Sequence, residues 1–208
     1  MGIDSLIRRA VPLLLASLLS ACSNWTGFGF DTGSPEMQRI REELRLKQGI
    51  TVADIGAGKG ELSSALAKEV GAGGRIFATD VDRERIEALG NRFARERLAN
   101  ISVVEGGTSD TRLPPACCDV IILRRVYHHL TDPAAINASL LRSLRPGGVL
   151  AVIDFPPPPL LGRGELGVPA QAVIGEVTAS GFELLRLIDD WPGRGPLGSY
   201  CAVFRKPP

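Results

Sequence analysis

Two spacings of hydrophobic residues alternate along the chain from residue 37 onward. Short apolar runs are typical of buried strands, and apolar residues repeated every three or four positions are typical of one helix face. The helix that begins at Asp132-Pro133 is expected to end at Pro146-Gly147-Gly148. Strands alternating with helices favour a parallel sheet covered by helices on both faces. The first five predicted strands are residues 50–55, 75–80, 101–105, 119–125 and 149–155.

The last quarter of the chain predicts one more helix and two more strands. Four consecutive prolines, Pro156 to Pro159, favour an extended loop after the fifth strand. Residues 169–180 then have helical spacing, and Gly181 is a natural terminator for that helix. Residues 182–188 and 200–204 are typical of strands.

A glycine-rich turn follows the first predicted strand. Asp54 is followed by Gly56, Gly58 and Gly60 at alternate positions, and a helix is predicted after them. Glycine lets the backbone turn sharply and approach a ligand closely. A strand, a glycine turn and a helix in this order form the first unit of nucleotide-binding α/β folds. The Asp54 carboxylate would repel a pyrophosphate and favour a cationic ligand, such as an aminium or a sulfonium.

Other interpretations of these glycines fit less well. A phosphate loop requires Gly-x-x-x-x-Gly-Lys followed by Ser or Thr, but Lys59 is followed by Gly60 and Ala53 stands at the first glycine position. A dinucleotide fingerprint requires Gly-x-Gly-x-x-Gly, and here the third glycine comes one residue early. A glycine turn without a ligand stays open, because short glycine patterns also occur by chance.

A second acidic residue closes the next predicted strand. Asp80 ends the run Arg75-Ile-Phe-Ala-Thr-Asp, twenty residues after Gly60. A carboxylate at this point can accept hydrogen bonds from both ribose hydroxyls. With Asp54 and the glycines, it resembles the signature of class I S-adenosylmethionine-dependent methyltransferases, which is Asp/Glu-x-Gly-x-Gly-x-Gly followed by an acid at the end of the second strand. The resemblance covers roughly residues 35 to 208 and includes segments 103–110, 113–114, 118–130 and 144–154.

This resemblance implies a fold, a cofactor and a set of binding residues. The fold would be a Rossmann-like α/β sandwich, with a mostly parallel seven-stranded sheet, an antiparallel edge strand and helices on both faces. S-adenosylmethionine would be the cofactor, and its methyl group would pass to a small-molecule acceptor. The implied cofactor contacts are Gly56, Gly58 and Gly60 at the methionine and ribose portion, Asp54 at the aminium, Asp80 at the ribose and Asp110 at the adenine amino group.

The two histidines of the sequence are adjacent and follow the fourth predicted strand. His128 and His129 are therefore expected at the carboxyl edge of the sheet, where ligands of open α/β sheets bind. A histidine there can take a proton from an acceptor, which makes both residues candidate catalytic groups. The resemblance favours a structural or cofactor-positioning role, because many methyltransferases of this class have His-His after this strand irrespective of substrate.

Three further charged residues are expected at the same edge. Asp154 ends the fifth predicted strand and is either a substrate contact or a solvated acid. One of Arg124 and Arg125 is expected to point toward the cleft, because strand side chains alternate. An anionic substrate or a surface salt bridge would account for that arginine.

Composition restricts the class of protein. The 208 residues are 44% hydrophobic and 23% charged, which suits one globular domain. A net charge of +1 without a long basic run argues against a nucleic-acid partner. The four cysteines lack the spacing of metal ligands, so no metal site is expected. The oligomeric state stays open.

The first 36 residues follow a different pattern. Arg8 and Arg9 precede an apolar run, Ala10 to Leu19, that is short for a membrane span. Residues 1–22 are predicted to be a signal sequence, whose Leu19-Ser20-Ala21-Cys22 ending resembles the lipobox of bacterial lipoproteins, with Cys22 bearing the lipid. An ordinary signal peptide or an uncleaved anchor stays open. Residues 23–36 are predicted to be a flexible tether and 37–208 the methyltransferase domain.

Such a signal predicts a lipid-anchored protein of the bacterial cell envelope that faces the periplasm or the exterior. This location conflicts with the cofactor, because S-adenosylmethionine is made inside the cell. Exported cofactor, or cofactor bound before export, would resolve the conflict. The alternative is a membrane-tethered protein that binds a nucleoside or S-adenosylmethionine without catalysis.

Overall fold

A computed structural model describes residues 30–158, 164, 166–192 and 198–208 of the chain. The predicted signal sequence, Cys22 and residues 23–29 of the predicted tether lie outside the described residues. Helices and strands alternate over the described part as the hydrophobic spacing predicts.

The helices are α1 (Pro35–Glu43), α2 (Glu61–Val70), α3 (Arg83–Arg95), α4 (Pro133–Ser143) and α5 (Ala170–Ala179). The strands are β1 (Thr51–Ile55), β2 (Arg75–Asp80), β3 (Ile101–Glu105), β4 (Cys118–Arg124), β5 (Leu144–Asp154), β6 (Glu183–Ile188) and β7 (Tyr200–Arg205). A short 3-10 turn, Tyr127–His129, follows β4.

The seven strands form one sheet in the order β3-β2-β1-β4-β5-β7-β6. The pairs among β1 to β5 are parallel, and β7 is antiparallel to both β5 and β6. The predicted α/β fold class is thus confirmed, with the antiparallel strand one position in from the edge. The strand order reverses between β1 and β4, and ligands of open α/β sheets bind outside the carboxyl ends of the strands at such a point.

Both faces of the sheet are buried against helices. Adjacent residues of β1, Val52 and Ala53, belong to two different apolar clusters. One cluster contains Leu140 of α4 and Val177 of α5, and the other contains residues of α1 and α2. Burial on both faces explains why the strands are continuous apolar runs rather than alternating ones.

The start of the domain differs from the prediction. Ser34 caps α1, because its Oγ accepts a hydrogen bond of 3.2 Å from the backbone N–H of Met37. Pro35 and Glu36 form the first helical turn, and Glu36 is buried. The predicted tether of residues 23–36 therefore extends too far, and the folded domain begins before residue 37.

The start of β5 also differs from the prediction. Helix α4 ends at Ser143, and β5 begins at Leu144 instead of residue 149. Leu144 is extended, fully buried and paired with Cys118, before the register shifts to Val120 opposite Val149. Leu144 follows Leu140 at helical spacing, but its burial comes from the sheet.

Candidate active site at the carboxyl edge of the sheet

The glycine turn connects β1 to α2 through residues 56–60. Gly56, Gly58 and Gly60 all have φ between 55° and 79°, where glycine is favoured. A Cβ on Gly56 would lie 2.5 Å from Cγ2 of Val126, and one on Gly60 would lie 2.7 Å from Leu89. At Gly58 the nearest atom to such a Cβ is the backbone oxygen of Gly56, at an unstrained 3.9 Å. Gly60 is therefore required by packing against α3, whereas Gly58 faces a ligand site.

A cavity of about 560 Å³ opens beside this turn. That volume is ordinary for a small-molecule or cofactor site. Its walls come from the carboxyl ends of β1, β2 and β4 and from the segments that follow β2, β3 and β4, including Gly56, Gly58, Asp80, Gly107, Arg125 and His129. The cavity thus lies where the strand order places the binding site.

Asp80 links the end of β2 to the glycine turn. Its Oδ2 accepts a hydrogen bond of 3.0 Å from the N–H of Gly58, and its Oδ1 accepts bonds from the N–H groups of Val81 and Asp82 at 2.9 and 3.1 Å. The residue is only 4% exposed and lines the cavity. The structure therefore brings Asp80 and Gly58 together at the cavity.

Asp54 lies behind the turn rather than in the cavity wall. Its side chain is buried, and the Ser63 hydroxyl donates a hydrogen bond of 2.6 Å to Oδ2. Burial raises the pKa of Asp54 from 3.8 to about 6, although the Ser63 hydrogen bond and the Arg124 charge act in the opposite direction. A cation in the cavity would favour the ionised carboxylate.

Asp110 does not reach the cavity. Its carboxylate is half exposed and forms an ion pair with Arg142 at 3.0 Å, while its Oδ1 accepts a 2.6 Å hydrogen bond from the N–H of Arg112. Both interactions lower the pKa of Asp110. Gly107 and Thr108 line the cavity in its place, so the contact to adenine predicted for Asp110 is not supported by its position.

The two histidines have different surroundings. The ring Nδ1 of His128 lies 2.8 Å from Oδ1 of Asp154, and the backbone N–H of His128 donates to Oδ2 of Asp154 at 3.2 Å. Both residues are buried, and neither lines the cavity. His129 is exposed and lines the cavity, and its ring contacts the tilted ring of His128 with centroids 3.9 Å apart. His128 is therefore placed to support the site, and His129 to face it.

Arg124, the last residue of β4, and Arg125, which follows it, both line the cavity, although alternation predicted only one. Arg124 donates hydrogen bonds of 3.0 and 2.6 Å to the carboxylate of Glu36 in α1. The Arg124 guanidinium also lies 4.5 Å from the ring centroid of Phe30, and Trp191 donates a 3.3 Å hydrogen bond to Glu36. Glu36 is thus a site residue that sequence reasoning placed in the tether. The signal that could have found it is Ser34-Pro35-Glu36, a helix cap with a first-turn proline and acid.

The described residues contain neither a cluster of metal ligands nor a helix that could span a membrane. Within residues 30–158, 164, 166–192 and 198–208, no three His, Cys, Asp or Glu side chains are grouped as a metal ion would require. None of the helices in those ranges is both long and apolar enough to cross a membrane.

Known proteins resemble this chain in sequence and in structure. Residues 53–152 match the family described as methyltransferase domain. A nocamycin O-methyltransferase from Saccharothrix syringae is 27% identical over 139 residues, which are 67% of this chain and 50% of that protein. A ubiquinone/menaquinone biosynthesis C-methyltransferase from Shewanella halifaxensis is 27% identical over 119 residues, which are 56% of this chain and 47% of that protein. The chain therefore spans about half the length of these curated relatives.

A solved structure has the same fold. The crystal structure of a SAM dependent methyltransferase from Aquifex aeolicus is similar with a TM-score of 0.70 and 24% sequence identity, over 81% of this chain and 88% of that one. The segment that matches the methyltransferase family, residues 53–152, contains the glycine turn, Asp80 and both histidines. Residues 53–152 are therefore similar to a methyltransferase domain in sequence, and the described part of the chain has the fold of a SAM dependent methyltransferase.

Proposed function

We propose that the protein transfers a methyl group from S-adenosylmethionine to a small-molecule acceptor bound in the cavity at the carboxyl edge. The observation that carries this proposal is the position of Asp80, whose buried carboxylate lines the cavity and is bonded to Gly58. Relatives named as O- and C-methyltransferases support the activity.

The glycine turn and Asp80 fit a nucleoside cofactor. The nearest atom to a Cβ on Gly58 would be 3.9 Å away, so a ligand can approach this backbone closely. Asp80 accepts three backbone hydrogen bonds, and a carboxylate offers about four acceptor positions. One position thus remains for a ribose hydroxyl. Gly107 and Thr108 line the cavity beyond β3, on the side where the family resemblance implies the adenine.

When bound, S-adenosylmethionine supplies a methyl group that its sulfonium activates. The protein's part is to hold the acceptor in line with that group and to exclude water. Positioning of this kind lowers the activation barrier by roughly 7 to 11 kcal/mol. The Asp54 carboxylate behind the turn favours the cationic end of the cofactor. No covalent intermediate with the protein is needed.

The acceptor's proton leaves on the side of β4 and β5. His129 is the histidine that lines the cavity, so it is the one that can accept this proton directly. His128 is bonded to Asp154, and its ring contacts the ring of His129. We therefore assign His128 a positioning role and keep His129 as the candidate base.

Calorimetric titration with S-adenosylhomocysteine tests the cofactor assignment. We expect Asp80→Asn to weaken binding by about 1.5 to 3 kcal/mol, because it removes the charge-assisted hydrogen bond to a ribose hydroxyl. The matched control is Asp132→Asn, an exposed helix cap whose replacement is an equally good cap. Unchanged affinity in Asp80→Asn, or binding of NAD in preference to S-adenosylhomocysteine, would contradict the proposal.

We also propose that a lipid on Cys22 anchors the protein in the bacterial cell envelope. The support is the charged start, the short apolar run and the Leu19-Ser20-Ala21-Cys22 sequence. Cys22→Ser is expected to move the protein from the membrane fraction to the soluble fraction, or to leave the signal uncleaved. Mass spectrometry that finds an unmodified mature protein beginning at another residue would contradict lipidation.

A further inference from the structure

Arg125 occupies an unusual position at the end of β4. Its φ of 59° lies in the left-handed region, which is unfavourable for a residue other than glycine. Its backbone N–H donates a 2.7 Å hydrogen bond to the carbonyl of Ile153 in β5. The side chain is partly buried and lines the cavity. A strained backbone therefore directs a cationic side chain into the site, on the side of β4 and β5.

The acids whose charges act on Arg125 are already engaged. Glu36 accepts both hydrogen bonds of Arg124 and one from Trp191. Asp154 is bonded to the ring and backbone of His128 and to the N–H of Phe155. Among the residues that the structure describes, no carboxylate lies within ion-pair distance of the Arg125 guanidinium.

The surroundings of Arg125 disfavour an isolated charge. Burial and the neighbouring Arg124 charge both lower the pKa of Arg125, although an arginine stays protonated under ordinary conditions. A partly buried cation without a partner is costly, and an anion in the cavity would remove that cost. Apolar side chains lie beside it in the cavity wall, namely Ile55, Val126, Leu130 and Ile136.

We propose that Arg125 selects an acceptor that carries a carboxylate attached to an apolar body. This inference rests on the proposed function and names the acceptor class for the same cavity. Arg125 lies above β4 and β5, beyond the glycine turn and Asp80 that are assigned to the cofactor.

A carboxylate fits better than a phosphate. The other two arginines in the cavity wall already face acids, since Arg124 is paired with Glu36 and Arg85 lies 3.6 Å from Asp82 and 3.9 Å from Asp80. One available guanidinium matches a single negative charge and the planar, two-oxygen geometry of a carboxylate.

The experiment uses benzoate as the probe, benzamide as its neutral counterpart, and the purified full chain saturated with S-adenosylhomocysteine. Saturation-transfer NMR measures the binding of each probe to the wild type, Arg125→Gln and Arg125→Lys. The control is Arg83→Gln, an exposed arginine in the first turn of α3. Calorimetry measures the affinities of S-adenosylhomocysteine and of 5′-methylthioadenosine, which lacks the amino-acid portion.

We expect wild type and Arg83→Gln to bind benzoate about tenfold more tightly than benzamide, Arg125→Gln to lose that preference, and Arg125→Lys to retain part of it. Both nucleosides should bind Arg125→Gln within about threefold of the wild type.

Equal binding of benzoate and benzamide by the wild type would overturn the inference without any variant. It would also be overturned if Arg125→Gln weakened S-adenosylhomocysteine about tenfold but left 5′-methylthioadenosine unchanged, because Arg125 would then hold the cofactor's own carboxylate. Failure of the wild type to bind S-adenosylhomocysteine would refute the proposed function, and this inference with it.

Discussion

The strand-end acids Asp80 and Asp154 connect their strands in the same way but face different environments. Asp80 of β2 accepts a hydrogen bond from the backbone of Gly58, in the turn after the adjacent strand β1. Asp154 of β5 accepts one from the backbone of His128, in the turn after the adjacent strand β4. Asp80 also lines the cavity, whereas Asp154 is fully buried and bonded to the His128 ring. Asp80 thus joins a turn to its strand and can also contact a ligand, whereas Asp154 only supports its turn.

The largest expected effect is the loss of stability when the buried Asp154 is replaced. Asp154→Ala removes the acceptor of three protein hydrogen bonds and leaves the buried His128 ring without this partner, so we expect the free energy of unfolding to fall by about 3 to 5 kcal/mol. Urea denaturation measures it. Asp80→Asn should instead lower affinity for S-adenosylhomocysteine more than it lowers stability. A variant of Asp154 with normal stability would break the comparison.

The contact between the two turns has the next largest effect. Gly56→Ala adds a Cβ that would lie 2.5 Å from Val126 at a φ of 70°, so we expect a destabilisation of about 2 to 4 kcal/mol. Adding Val126→Ala to Gly56→Ala should restore about 1 kcal/mol or more of the lost free energy of unfolding. Thermal unfolding of the single and double variants measures this. The matched control is Gly90→Ala in α3, where nothing lies within 4 Å of the new Cβ, so stability should stay or rise. Additive effects of the double variant would show that the turns are independent.

The pH dependence of Asp54 gives a third effect. Because burial raises its folded pKa from 3.8 to about 6, the stability that the protonated form contributes is complete below pH 4 and is lost as the pH rises through 6. The loss is at most about 3 kcal/mol and should be absent from Asp54→Asn. A cofactor with a cationic end binds the ionised carboxylate better, so its affinity should increase from pH 5 to 7 in the wild type only. Identical pH profiles for wild type and Asp54→Asn would contradict this account.

The smallest effect is expected at Asp110. Asp110→Asn breaks an exposed ion pair with Arg142, which is worth about 0 to 1 kcal/mol of stability, and should leave nucleoside affinity unchanged. Calorimetry with S-adenosylhomocysteine checks this. A loss of affinity of tenfold or more would restore the adenine contact predicted from the sequence and would add a third acid to the site.

What the sequence predicted depends on how local the interaction is. The glycine turn and Asp80 were found because a strand, a turn and an acid at a set distance specify their own geometry. The alternation of strands and helices followed from hydrophobic spacing, and the antiparallel strand was implied by the family resemblance. In contrast, Glu36 meets Arg124 across 88 positions of the chain, and Asp154 meets His128 across 26. No short pattern encodes such pairs, and the orientation of the 3-10 turn decides which histidine faces the cavity.

Asp110 shows the same limit, because a distant residue holds a side chain that a local motif had placed at the site. The segment Gly107-Thr108-Ser109-Asp110 suggested a ligand contact, but Arg142, which lies 32 residues later, holds the carboxylate at the surface. A motif position predicts where the backbone goes, while the nearest countercharge decides where an acidic side chain points.

The pairing of Glu36 with Arg124 links the start of the described chain to the cavity. Phe30 and Glu36 both contact Arg124, and Arg124 is part of the cavity wall. A displacement of Phe30 or Glu36 would therefore also move Arg124 and change the shape of the cavity. The first residues of the described chain thus help to set the geometry of a pocket whose lining residues all come later in the sequence.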